Sequence, residues 1–388
     1  MKRSILLAIS LFMALSAVAQ GFYQSHYQSA TEPQTLLPNR PLDQSRKEII
    51  LPTVNGYIPY KADLHMHSTY SDGVMKYTGR GRIHEAWRDG LDVIAVTDHM
   101  SVKVYEDKAG VPTPEKDKVK RGKRPAQAVK DAVSLAGNYG ILAIPGVEIT
   151  GNAKTLGHFN ALFTTNNLEI FDYDPMQAIR NARKQGALIM QNHPGWRQST
   201  LEQTQFVKDV YAEKLVDGIE LMNGYYFYPR ALQTAKENKL FIASTTDIHG
   251  TTAETYRENQ HLRNMTIIFA KELTSESIRE GLEKHRTLAY SFGVLGGEES
   301  LLRDFFQASI ETRKIAVVLN KSKKKTQRVM LTNKTSLPYT LRFGKGNPVT
   351  LPALSSIIVS TKPGKPVQCT VLNMWYGMNQ HPVMKLKY

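Results

Sequence analysis

In "KADLHMHSTYSDG", residues 61–73, two histidines stand one residue apart and are followed by an aspartate and a glycine. The run "ADLHMHS" alternates regularly, and a strand sends residues i and i+2 to the same face. His65 and His67 therefore point the same way, and two adjacent imidazoles invite a shared cation. Taken alone, the pair fits two polar residues at a strand end equally well. Residues of the same chemistry close other apolar runs: Asp72 just beyond the pair, His99 in "AVTDH", Glu148 in "IPGVEIT", His193 in "MQNHP", and Asp247 with His249 in "STTDIHG". His158 in "GHFNAL" is the odd member, since it opens its run. Six of the eleven histidines fall in this set. Any one of them would more often be a core or cap histidine than a ligand. Nine such residues gathered together would be costly to bury uncompensated, and imidazole with carboxylate suits zinc, iron or manganese.

The elements that must position them follow from the hydrophobic pattern. From Tyr57 onward, short apolar runs alternate with amphipathic ones: "KADLHMH", "GRIHEAWRDG", "LDVIAVTDH". A polar insertion over 100–124 leads to a helix near 125–139. "ILAIPGVEIT", "HFNALF", "ALIMQNHP", "DGIELMN" and "LFIASTTDIHG" then read as strands, with "DPMQAIRNARKQG" and "YPRALQTAKENK" as helices. This alternation predicts a parallel sheet covered by helices, and the number of repeats suits a barrel closed on itself. In such barrels the working residues sit at the C-terminal strand ends, which is where this set lies. After residue 300 the pattern changes to short strand-like runs separated by Asn, Gly, Pro and Lys, the signature of a small antiparallel sandwich.

Residues 1–19, "MKRSILLAISLFMALSAVA", have the basic, apolar and small-residue regions of a signal peptide, with cleavage expected near Ala19/Gln20. The expected location is periplasmic, or secreted, and no later run reaches membrane-spanning length. Residues 20–56 read as an extended polar lead-in. The only cysteine, Cys369, sits in an apolar run and reads as a small buried residue without a bridge. The net charge of +15 resembles a nucleic-acid signature until it is mapped. Residues 305–388 hold 14 Lys and Arg against the single acid Glu311, whereas residues 20–304 are balanced, with 34 basic and 34 acidic residues. A balanced barrel disfavours a long nucleic acid, and the basic tail reads as a solvated face or an anion-attracting one.

The motifs "DLHMHSTYSDG", "DVIAVTDH", "GVEIT" with "GHFNAL", "NHPGW" and "TDIHG" resemble those of the PHP (polymerase and histidinol phosphatase) domain family. The resemblance covers roughly residues 57–295 and implies an α/β fold, a distorted (β/α)7 barrel over 57–300, followed by the basic β-domain over 301–388. It further implies three divalent metal ions, zinc, manganese or iron. His65, His67, Glu148 and Asp247 would hold one, Glu148 would bridge to a second bound by His158 and His193, and Asp72, His99 and His249 would hold the third. The signal peptide and basic tail are similar to those of exported bacterial PHP phosphodiesterases. The implied activity is hydrolysis of a small anionic phosphoester by a metal-bound hydroxide, with Asp247, Glu148 and His249 assigned to catalysis. Clustered cations can lower the pKa of bound water from 15.7 to about 7 and clamp both oxygens of an in-line displacement.

Around these motifs, Arg197, Arg257 and Arg263 are candidates for holding phosphate oxygens, although a solvated or salt-bridged arginine is the commoner outcome. Tyr225, with Tyr226, Phe227 and Tyr228, offers an apolar wall for an organic group. The charged run 115–124 is a lid candidate or a solvated loop. Asp98 reads as a partner to the ligands or as a helix cap. His26, His84, His261, His285 and His381 read as structural or exposed. Alternatives are a phosphomonoesterase at the same site, an amidohydrolase-like enzyme cutting a C–N or lactone bond, a polyanion-binding module with an inert barrel, and a nuclease.

Overall fold

Ile58–Met66 (β1) is buried over its last five residues, so Asp63 and His65 enter the interior with the apolar residues between them. The computed structural model describes residues 46–73, 78–102, 111–197, 202–256, 261–319 and 322–388. The chain divides into two compact units, Met1–Arg46 and Lys47–Tyr388, and the described strands and helices belong to the second. The expected signal peptide, residues 1–19, and residues 20–45 of the expected lead-in lie outside the described residues.

After β1 come α1 (Gly79–Arg88), β2 (Val93–Val96), β3 (His99–Ser101), α2 (Glu115–Ala136), β4 (Leu142–Thr150) and β5 (His158–Leu162). Then follow α3 (Pro175–Lys184), β6 (Leu188–Gln191), α4 (Gln205–Ala212), β7 (Gly218–Asn223), β8 (Tyr226–Phe227), α5 (Arg230–Asn238) and β9 (Phe241–Thr245). The barrel portion ends with α6 (Thr252–Thr255), β10 (Met265–Ala270), α7 (Ser275–Glu283), β11 (Thr287–Ser291), β12 (Val294–Gly297) and α8 (Glu299–Ser309). Local chemistry starts several helices: the side chains of Asp174 and Thr204 accept from the backbone at the heads of α3 and α4.

β1, β2, β4, β5, β6, β7 and β9 are the staves of the barrel, and a bridge between Met66 and Ile248 brings the end of β9 back to β1. The expected α/β barrel with a small C-terminal antiparallel β-domain is the fold observed. Its sheet is mixed rather than parallel. β5 runs antiparallel to both β4 and β6, and β10 antiparallel to β1. The reason is connection length: only Gly151–Gly157 separate β4 from β5, too short for the crossover that parallel neighbours need. A second difference concerns the run 115–124, which forms the first turns of α2 rather than a loop, with Asp117 hydrogen-bonded to the Tyr173 hydroxyl.

The C-terminal strands are β13 (Ile310–Leu319), β14 (Lys325–Asn333), β15 (Tyr339–Arg342), β16 (Val349–Leu351), β17 (Ser356–Thr361), β18 (Val367–Val371), β19 (Met374–Trp375) and β20 (Val383–Leu386). They make a three-stranded sheet, β13-β14-β17, and a four-stranded one, β16-β15-β18-β20, while β19 joins the barrel sheet beside β12. Leu331, Tyr339, Leu341, Val371 and Cys369 share one apolar cluster with Met66, Phe269, Phe305 and Phe306. The tail is therefore fastened to the barrel by common core. No helix among the described residues is long and apolar enough to cross a membrane.

Candidate metal centre

Sheet register assembles the site. In the parallel pairing of β3 with β4, His99 lies opposite Glu148, and in the antiparallel pairing of β4 with β5, Thr150 lies opposite His158. Because β5 runs the other way, its first residue reaches the rim where the other strands end. That accounts for the histidine that opens its run. The closing seam does the rest: the Asp247 amide donates to the His65 carbonyl (2.9 Å) and the His67 amide to the Ile248 carbonyl (3.1 Å), so the ends of β1 and β9 are held together.

All nine candidate ligands converge. Their donor atoms form three overlapping groups, each within 4.8 Å: His65, His67 and Glu148; Glu148, His158 and His193; and His67, Asp72, His99 and His249. Asp247 joins the first, its Oδ1 lying 3.2 Å from His65 Nε2 and 2.9 Å from His67 Nε2. His67 is clasped between the rings of His99 and His249, with centroids 4.1 and 4.2 Å away. The first two groups are buried, whereas Asp72 is exposed and faces His99 and His249 at 3.3 and 3.2 Å. Gly73 lets that loop fold back: its amide donates to Ser68 O at 2.9 Å, and a Cβ there would lie 2.7 Å from the Ser68 backbone. His193 and Asp247 adopt positive φ angles of 26° and 50°, a conformation unfavourable enough to be kept only where the surroundings impose it.

The ligands are themselves oriented. His65 Nδ1 donates to Glu220 Oε1 at 2.8 Å, leaving Nε2 for the centre. Glu220 also accepts from the His193 amide (2.6 Å), Thr245 Oγ1 (2.6 Å) and Asn223 Nδ2 (2.9 Å). His158 Nε2 donates to Gly151 O at 3.1 Å, leaving Nδ1 facing Glu148. Asn192 Nδ2 donates to Glu148 Oε1 at 3.0 Å. Asp98 accepts from the Ser68 amide and the hydroxyls of Ser68 and Ser71, so it braces the loop carrying Asp72 rather than capping a helix. Arg82, fully buried on α1, donates to the carbonyls of His67, Ile248, His249 and Gly250 and pairs with Glu85. One guanidinium thus staples both ligand-bearing segments.

Neighbouring charges oppose the effect of burial across the site. Burial alone would raise the Glu148 carboxyl, but His158, His193 and His65 hold it well below the usual range. Burial alone would lower His65, but Asp247 and Glu220 hold it well above 6.5. For His99, Asp72 and Glu148 outweigh burial and raise the ring to about 10. His67 goes the other way, lowered by burial despite Asp247. Carboxylates lowered by imidazoles, and imidazoles such as His65 and His99 raised by carboxylates, form a set from which divalent cations would displace protons on binding. The donor set, with outer partners fixing the His65 and His158 rings, fits such cations.

The weaker candidates disperse. Arg263 is buried and paired with Asp63 and Asp89, so it cannot hold phosphate. Arg197 is exposed and stacks over the Trp196 ring, 4.5 Å from its centroid. Arg257 lies outside the described residues. Tyr225 is 68% exposed, donates to Thr255 O and stacks on Phe292. His84 and His381 pack edge-on against Tyr139 and Trp375. Sequence reasoning missed Glu220 and Arg82. A lone glutamate within the apolar run "GIELM" was a signal for the first, whereas the contacts of Arg82 are invisible without the tertiary fold.

No family model matches the chain, and no curated protein matches it. A solved two-domain protein from Bacteroides vulgatus, containing a predicted PHP-like metal-dependent phosphoesterase, is 30% identical over 88% of this chain and 99% of its own, with a TM-score of 0.74. A protein from Bifidobacterium adolescentis assigned as a metal-dependent phosphoesterase is 16% identical over 51% of this chain and 94% of its own, with a TM-score of 0.35. An amidohydrolase from Chromobacterium violaceum is 15% identical over 49% of this chain and 88% of its own, with a TM-score of 0.34. The first likeness spans both the barrel and the C-terminal strands. The chain belongs to the PHP-like metal-dependent phosphoesterases.

Proposed function

We propose that this protein is a phosphodiesterase that hydrolyses a small phosphoester at a site for three divalent cations, zinc, manganese or iron. One observation carries the reading: three groups of donor atoms, chained through His67 and Glu148, converge at the barrel rim. Divalent cations held there acidify coordinated water and neutralise charge on a phosphoryl group. The protein's own residues do the positioning. Glu148, shared by two of the donor groups, would offset repulsion between cations held there. Glu220 keeps a proton on His65 Nδ1, so that Nε2 stays a donor to metal. Asp247, Glu148 and His249 line the reacting face. A diester carries less charge than a monoester, which agrees with the commitment of Arg263 to Asp63 and Asp89. Residues 1–19 support export to the periplasm or beyond.

The test is metal content together with hydrolysis of p-nitrophenyl phosphate, bis-p-nitrophenyl phosphate and p-nitrophenyl acetate. The diester is expected to be cut fastest, and activity on the acetate alone overturns the phosphoesterase reading. His99→Ala is expected to lose one metal equivalent and most turnover while remaining folded. If it keeps both, the three-cation assignment is wrong.

A further inference from the structure

Next to the metal centre, a cavity of about 890 Å³ opens along one side of His193. It does not surround the whole ligand cluster, so it is a recess for a group attached to the reacting phosphorus rather than for the phosphoryl itself. Trp196 forms part of the shared wall, its ring centroid 5.1 Å from that of His193 and 5.6 Å from that of His158. The volume suits a small organic molecule.

The lining is specific in its chemistry. Trp196, Phe227 and Tyr228 supply aromatic surface, and Gln191, Asn192, Gln203, Gln233 and Asn238 supply five neutral amides. The charged lining residues are Arg230 against Glu202 and Glu237. Among the described lining residues away from His193, two carboxylates stand against one guanidinium, so the far end of the recess offers a second phosphate or other anion no net positive charge. A purely aliphatic arm would strip water from the amides and return no hydrogen bonds. A hydroxylated ring meets both demands: its C–H face lies on aromatic surface, and its hydroxyls donate to and accept from amides. The Tyr228 hydroxyl and Asn192 Oδ1 are buried with no hydrogen-bond partner among the described residues, an arrangement native structures rarely tolerate without a role. Burial, with Glu220 and Asp247 nearby, pushes the Tyr228 hydroxyl far up.

We infer that this cavity receives the organic arm of the substrate, and that the arm is an uncharged, polyhydroxylated ring of the cyclitol or sugar kind. The inference rests on the phosphodiesterase reading. It also gives the C-terminal region a part in specificity, because Met378, in the turn after β19, lines the same cavity.

The test compares three chromogenic diesters with one leaving group on the metal-loaded, full-length protein: the p-nitrophenyl esters of myo-inositol phosphate, of ethyl phosphate and of thymidine 5′-phosphate. The expected kcat/KM for the inositol ester exceeds that for the ethyl ester by about tenfold or more, since a site built for hydroxyls rejects analogues that lack them. Gln233→Leu and Met378→Glu are each expected to shrink this ratio. Equal rates for the inositol and ethyl esters, or a preference for the thymidine ester, overturn the inference. Calorimetric binding of myo-inositol phosphate against ethyl phosphate separates the two readings. Tighter inositol phosphate binding without cleavage of any ester removes the phosphodiesterase and keeps the ring site. Cleavage with neither preference nor tighter binding removes the ring site and keeps the phosphodiesterase.

Discussion

Glu220 Oε1 and His65 Nδ1 lie 2.8 Å apart, both fully buried, on strands separated by more than half of the barrel's sequence. The carboxylate fixes the ring's tautomer and turns Nε2 towards Glu148 and Asp247. It also ties the amide of His193 to the same anchor, so one side chain outside the ligand set aligns ligands from two groups.

Glu220→Gln is therefore expected to weaken metal affinity by about 10–100-fold, the usual effect of losing an outer carboxylate. The amide fills the same space, so the fold should persist. Competition with a chelator and circular dichroism measure the two effects. Unaltered affinity would show that the ring needs no such partner.

Arg82 is expected to be a stability residue that also affects the site. Arg82→Met leaves Glu85 buried without its partner and frees four carbonyls, which should cost about 3–5 kcal/mol. Denaturant unfolding measures it. The double variant Arg82→Met/Glu85→Leu should recover part of the loss, because no lone charge then remains in the interior. A double variant as unstable as the single one argues against the ion pair as the cause.

The metal-free protein should show a pH-dependent contribution from His99. Its folded pKa of about 10, set by Asp72 and Glu148 against the opposing effect of burial, lies above the ordinary 6.5. Folding thus favours the protonated ring. The stabilisation is fully present below pH 6.5 and fades as pH rises towards 10. Unfolding of chelated wild type and His99→Asn should differ more at pH 6 than at pH 9.5. A gap that stays constant, or widens, rules this out.

Cys369 should be chemically silent in the native state. It is 1% exposed, and burial pushes its thiol up to about 12. Labelling by a thiol reagent at pH 8 is expected only after unfolding, since the thiolate is the reactive form. Rapid labelling of the folded protein would mean that the sheet around β18 opens readily.

The convergence of the candidate ligands was legible because its signal is local. Strand ends reveal themselves by an apolar run stopped by a polar residue, and His65, His67, His99, Glu148, His193, Asp247 and His249 are all found that way. The arginines were not legible. Nothing near Arg263 in the chain announces Asp63, two hundred positions away, although their side chains meet in the interior. The length of α2 was missed for a related reason: "EKDKVKRGKR" is polar enough to read as a solvated loop, yet Gly122 and Pro125 within it and just after it are buried in the fold.

What the sequence by itself determined is the class of barrel, the basic β-domain after it, and the types and approximate rim position of the candidate metal-binding residues. Each of these depends on periodicity or on residues a few positions apart. What only the tertiary structure decided is the direction of β5, which brings His158 to the rim, the anchoring of two ligand groups by Glu220, and the cavity that Met378 helps to close. These depend on which distant segments become neighbours, and burial energy selects those neighbours over the whole chain at once rather than residue by residue.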